Sequence, residues 1–220
     1  MKKYTNLFFD CDGVILNSNF IKTNSFFEVT KKYGKIYAEE LVNYHIANGG
    51  VSRYKKFEYF LKNIIQNFDE KEYQILLDNY SNNVRSNLLK AEFDIGIHNI
   101  KRVFPKASNA IISGSDEKEL NWIFKRKNID HIFDYGIFGS PRNKKEIFDD
   151  IFSNFKGNES CIFFGDSKYD YLVSKDYEMD FIFISEWTEF KDWENFIKLN
   201  KIKTMKSISE FINAHEKILS

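Results

Sequence analysis

The chain has 220 residues, room for one ordinary domain or one domain carrying a sizeable insertion. Lys and Arg total 32 and Asp and Glu total 32, so the formal net charge is zero, which argues against a nucleic-acid binder that works by bulk phosphate neutralisation. Apolar residues at 43% and aromatics at 17% are enough for a real core, and no apolar run approaches bilayer length, so neither disorder nor membrane insertion is expected.

The N-terminus leads into a strand over residues 4–9 with no apolar leader before it. Cys11 and Cys161 lie in strand-like runs without ligand-type spacing, so a reduced, cytoplasmic protein is the expectation. Residues 17–92 then hold long helical patterns and no strand. Residues 20–33 end at the C-cap signal Gly34, residues 52–68 carry Tyr54, Phe57, Phe60, Leu61, Ile64 and Ile65, and residues 70–90 carry Tyr73, Leu76, Leu77, Tyr80, Val84 and Leu88.

From residue 109 onward strand and helix alternate. Strands are expected over 109–113, 135–138, 160–164, 181–184 and 201–205. Helices are expected after Asp116, whose partner Glu119 completes a capping signal, over 144–155, after residue 164 through about 177, and over 207–218. That alternation predicts an α/β fold: a Rossmann-like, doubly wound parallel sheet with helices on both faces. The helical block reads as an inserted all-helical cap domain at 17–92, leaving 1–16 and 93–220 as the core and a cleft between the two.

The first strand ends in Asp10-Cys11-Asp12-Gly13-Val14. Ligands in parallel sheets sit beyond the carboxyl ends of strands, which puts this segment where a site is built. A bend at Gly13 can aim both carboxylates into one pocket, one as nucleophile and one for proton transfer. Three further signals follow at predicted strand ends: Ser113, Lys144 within Gly139-Ser140-Pro141-Arg142-Asn143-Lys144, and Gly165-Asp166-Ser167-Lys168-Tyr169-Asp170. Lys145 neighbours Lys144, but the Gly-Ser-Pro spacing favours Lys144.

The four motifs together resemble the haloacid dehalogenase superfamily of aspartate-nucleophile phosphohydrolases, in its subclass with a helical cap after the first motif. The resemblance implies an aspartyl-phosphate on Asp10, with Asp12 as acid and base. It implies Ser113 and the Gly114 amide around the phosphoryl group, and Lys144 neutralising it. It also implies Mg²⁺ held by Asp10, the Asp12 carbonyl and Asp166, with Asp170 in support. The chemistry suits these residue types, because a doubly anionic phosphomonoester repels a carboxylate nucleophile until a hard cation and an ammonium cancel the charge.

One further stretch, from His45 through Asn48-Gly49-Gly50-Val51-Ser52-Arg53 to Lys56, breaks two helices with glycines and opens the next with cations. Cations are disfavoured at a helix start unless an anion compensates. Gly-Val-Ser-Arg resembles the specificity loop of beta-phosphoglucomutase-like members, which implies that Arg53, and with it His45, Asn48 and Lys56, faces the non-reacting part of the substrate. The expected protein is a Mg²⁺-dependent phosphoric monoester hydrolase acting on a small phosphorylated metabolite, such as a sugar, polyol or sugar-linked phosphate. It is expected to bind neither nucleic acid nor membrane; nothing in the sequence sets its oligomeric state. A phosphosugar mutase is the alternative, weakened because mutases place an extra acid where this chain has Gly165. A non-catalytic module of the same fold is the other.

Overall fold

The computed structural model describes residues 3–155 and 159–219. After the first strand, β1 (Asn6–Phe9), the chain forms α1 (Asn19–Thr30), α2 (Lys35–Ala47), α3 (Arg53–Tyr59), α4 (Glu70–Lys90) and a single turn, α5 (Ile100–Val103). Strand and helix then alternate: β2 (Ser108–Asp116), α6 (Glu117–Arg126), β3 (Gly136–Ser140), α7 (Lys144–Ser153), β4 (Cys161–Gly165), α8 (Lys168–Asp176), β5 (Asp180–Ile184), α9 (Trp193–Asn200), β6 (Lys203–Met205) and α10 (Ile208–Leu219).

The strands form one six-stranded sheet in the order β3-β2-β1-β4-β5-β6, every neighbouring pair parallel. The expected α/β fold is thus the one observed. All four residues of β1 are buried, which requires cover on both faces of the sheet. Successive side chains point to opposite faces. Phe8 therefore meets Phe148 of α7 edge-on at 5.2 Å, and Phe9 stacks on Phe164 at 4.9 Å within the other cluster, which holds Phe211 of α10.

The helical block between β1 and β2 has its own aromatic centre. Phe26, Phe57 and Tyr80 bring α1, α3 and α4 together, with ring centroids 4.5 to 5.6 Å apart. Leu41, Leu76, Val84 and Leu88 fill the space around them. The chain leaves and re-enters the sheet domain through two segments that bond to each other. The Asn17 amide donates to the Glu92 carbonyl at 2.9 Å, the Asp94 amide donates to the Ile15 carbonyl at 3.0 Å, and Leu16 bridges Phe93 in antiparallel fashion.

Helices α2 and α5 are not among the expected helices, and two further features depart from the sequence-based expectation. The helix expected over 52–68 is α3 followed by a π-helical turn, Phe60–Ile64. Helix α9 is not among the expected helices, although Trp193, Phe196 and Ile197 share one face and Trp193 stacks on Phe183 at 5.7 Å.

Candidate active site

The sheet order reverses between β1 and β4, where crossovers leave toward opposite edges; that crevice is where open α/β sheets bind ligands. Asp10 directly follows β1 and Asp166 directly follows β4, so both carboxylates arrive at this point. They line a cleft of about 350 Å³ whose other wall comes from α1, α2, α3 and the loop between the last two.

Lys144 occupies the first position of α7, capped by Asn143 in a reciprocal box with Glu146. Its side chain is fully buried, and Nζ lies 2.9 Å from Asp10 Oδ1 and 2.5 Å from Asp170 Oδ1. Burial would lower its pKa, but Asp10 and Asp170 outweigh that and hold it above the usual lysine range. Lys145 is exposed and paired with Asp176, which leaves Lys144 as the site lysine. Asp170 Oδ2 accepts from the Ser167 hydroxyl at 2.7 Å and the Ser167 amide at 3.2 Å, so both of its oxygens are engaged. Asp10, Asp166 and Asp170 each offer an oxygen, all within 4.8 Å of one another. Burial, with the nearby Asp170 and Asp12 opposing the pull of Lys144, pushes Asp10 up to about 7. Burial together with Asp10 and Asp170 likewise raises Asp166 well above the carboxylate range. Three buried acids around one ammonium leave negative charge uncancelled, and an all-oxygen set suits a hard dication such as Mg²⁺.

Gly13 adopts φ +74°, and a Cβ there would lie 2.1 Å from Asp166 Oδ2, so the bend between the two motif strands admits only glycine. The bend brings Asp12 into the cleft beside Asp10. Asp12 accepts from Ser18 Oγ at 2.5 Å, from Lys22 Nζ at 2.6 Å and from Ser115 Oγ at 2.6 Å. Burial alone would raise its carboxyl, but Lys22 and these hydroxyls outweigh it and hold the pKa below the usual range.

Ser113 is fully buried within β2, and its hydroxyl accepts from the Ser115 amide at 3.1 Å. Pairing with β3 slips just there, between Ile112 and Asp116, and the bulge turns Gly114 and Ser115 to the cleft rather than Ser113. A Cβ on Gly114 would meet the Gly50 carbonyl at 2.1 Å, so the glycine loop of the helical block sits against this strand end.

The four residues expected from that loop all line the cleft, but not in equal ways. Arg53 donates to Ser81 Oγ at 2.9 Å and grips both oxygens of Glu119 on α6, so its guanidinium is occupied by protein. The neighbouring Tyr54 hydroxyl donates to Asp116 Oδ2 at 2.7 Å. Asn48 Nδ2 donates back to the Tyr44 carbonyl at 2.8 Å. Lys56 Nζ meets His45 Nδ1 at 2.7 Å and lies over the Phe26 ring at 5.7 Å, leaving further donors for the cleft. Burial, then Lys56, holds His45 well below its usual pKa, so the imidazole is neutral and accepts.

Sequence reasoning missed Lys22, Asn19, Ser115 and Glu189. Asn19 Nδ2 holds Asp166 Oδ2 at 2.8 Å and the Trp187 carbonyl at 2.9 Å. Glu189, in the loop after β5, accepts from Thr23 Oγ1 at 2.5 Å and also faces the cleft. No motif surrounds Asn19 or Glu189; Lys22 carried one usable signal, a cation on a helix that starts seven residues after a motif acid.

No curated protein matches the chain. Among solved structures it is similar to a predicted phosphatase from Clostridium acetobutylicum, at 17% identity with 99% of each chain covered and a TM-score of 0.72. A predicted phosphoglycolate phosphatase from Haemophilus somnus matches at 14% identity over 100% of each chain, with a TM-score of 0.71. A beta-phosphoglucomutase from Clostridium difficile matches at 19% identity, covering 99% of this chain and 100% of its own, with a TM-score of 0.69. At such identities the likeness is one of fold. The model of the haloacid dehalogenase-like hydrolases matches residues 7–184, from the strand that delivers Asp10 to the end of β5. With most of its length matched, the chain belongs to the haloacid dehalogenase-like hydrolase family.

Proposed function

We propose that the protein is a Mg²⁺-dependent phosphatase that hydrolyses a small phosphomonoester through an aspartyl-phosphate on Asp10. The observation that carries this reading is Lys144, buried between Asp10 and Asp170 behind the cleft that Asp10 and Asp166 line, with Asp166 completing an oxygen cluster. Residues 17–92 act as a cap over a core of 1–16 and 93–220.

In the first step Asp10 attacks phosphorus, the ester P–O bond breaks, and Asp12 gives the leaving oxygen its proton. In the second, Asp12 takes a proton from the water that hydrolyses the acyl phosphate. Lys144 and the Gly114 amide neutralise the phosphoryl oxygens. Ser113 acts through the Ser115 amide that it holds. Asp10, the Asp12 carbonyl and Asp166, with Asp170 in support, would hold Mg²⁺, which supplies charge cancellation at the phosphoryl group.

The cleft lining carries Lys56 and Glu189, of opposite sign, with His45 and Asn48. Mixed donors and acceptors suit hydroxyl groups, which favours a sugar, polyol or sugar-linked phosphate. Arg53 contributes by closing the cap on Glu119. The mutase reading is weaker: a side chain at Gly165 would meet Asp170 Cβ at 2.4 Å, leaving no room there for an additional acid. Both cysteines are buried, and among the described residues no helix is long and apolar enough to cross a membrane; the proposed location is the cytoplasm. Phosphate release from p-nitrophenyl phosphate with Mg²⁺, and its loss in EDTA, tests the reaction. A phosphometabolite panel ranked by kcat/KM then identifies the substrate.

A further inference from the structure

Among the cations lining the cleft, Lys22 makes the one direct contact to Asp12. It stands on α1, the first helix of the block inserted after β1, and is 6% exposed. Its Nζ lies 2.6 Å from Asp12 Oδ2 and also donates to Ser115 Oγ, which in turn donates to the same Oδ2 at 2.6 Å. Ser18 Oγ, at the N-cap of α1, occupies Oδ1 at 2.5 Å. Three donors from two parts of the molecule thus converge on one carboxylate, and they fit its ionised form, which only accepts.

We propose that Lys22 is a positioning residue for proton transfer by Asp12, reaching from the helical block to the carboxylate at the end of β1. This rests on the phosphatase reading. As the P–O bond breaks, the proton that Asp12 took from water in the preceding hydrolysis moves to the leaving oxygen, and Asp12 returns to the carboxylate form. Lys22, Ser18 and Ser115 are already aimed at that carboxylate, so charge that develops on Asp12 meets a prepared ammonium and two hydroxyls. The benefit is greatest for a leaving oxygen that must be protonated. A leaving group that departs readily as an anion gains little from Lys22.

The test uses three phosphomonoesters of similar shape and graded leaving-group basicity: p-nitrophenyl, phenyl and benzyl phosphate. Lys22→Met should cut kcat/KM for benzyl phosphate by ~100-fold or more and for p-nitrophenyl phosphate by less than ~10-fold, in the range that general acid catalysis supplies. Log kcat/KM should fall more steeply with leaving-group pKa than in the wild type, and Lys22→Arg should recover part of the loss. Thermal melts establish that the variants are folded, and Lys22→Gln replaces Lys22→Met if the latter is not. Equal losses on all three esters in a folded variant would overturn the role of Lys22 while leaving the phosphatase reading intact. A wild-type protein that releases no phosphate from any of them, with or without Mg²⁺, overturns both.

Discussion

Lys144 Nζ stands 2.9 Å from Asp10 Oδ1, although one residue opens a helix after β3 and the other ends the central strand. A cation at a helix start works against the macrodipole, so its placement is maintained by the acids it meets. The carboxylate and its counter-charge are held together in the fold itself.

Asp10→Asn keeps the shape of the side chain and removes the attacking charge. Turnover of p-nitrophenyl phosphate should fall by about three orders of magnitude or more, measured as phosphate release. Near-wild-type release would remove Asp10 from its role.

Mg²⁺ should restore activity lost in EDTA, and Ca²⁺ should inhibit, because its wider coordination sphere takes both oxygens of a carboxylate and spoils in-line attack. Binding can be read without turnover. The melting temperature should rise with Mg²⁺ in the wild type and stay flat in Asp10→Asn/Asp166→Asn.

Arg53 and Glu119 are 5% and 9% exposed in their side chains, and Arg53→Ala leaves Glu119 buried without its partner. Denaturant unfolding should show a loss of about 3 kcal/mol, with Arg53→Met/Glu119→Leu recovering much of it. If Arg53→Ala leaves stability unchanged and weakens only the true substrate, Arg53 belongs to substrate binding instead.

Lys56 is 2% exposed, and burial with the nearby Lys22 lowers its pKa to about 7, despite the opposite pull of Asp12, Asp10 and Glu189; the neutral His45 completes its surroundings. The sign follows from linkage: between about 7 and the unfolded value of 10.5 the unfolded chain binds more protons, so this residue makes stability rise with pH over that window. Below about pH 7 the penalty for burying the ammonium is fully present. Lys56→Met should therefore raise the melting temperature at pH 6 by roughly 5 °C, and the gain should shrink toward pH 10. A gain independent of pH would contradict this account.

Gly13→Ala should fold less stably and lose activity, because its Cβ collides with Asp166 Oδ2 in a backbone region that alanine avoids. Structural change confined to residues 10–13 and 166, seen by crystallography, is the expected result.

The sheet and its motif residues were legible because each lies where a short apolar run gives way to a charged turn, a pattern that local sequence carries. Asp10, Asp12, Lys144, Asp166 and Asp170 converge as the motif order implies. What stayed hidden depends on packing between distant segments. Lys22 looks like an ordinary cation on a helix until α1 folds back over Asp12, and Glu189 sits in a loop with no periodicity. Arg53 was legible as a residue of the cleft, but its partner Glu119 belongs to another helix and drew notice only as part of a capping signal. Ser113 was found by position, and the bulge that turns Ser115 outward in its place has no signature in sequence.

The two chain crossings at Leu16 and Phe93 have a mechanical consequence. A single flexible link would let the inserted helices swivel freely, whereas a pair of hydrogen-bonded strands resists torsion and leaves one axis of bending.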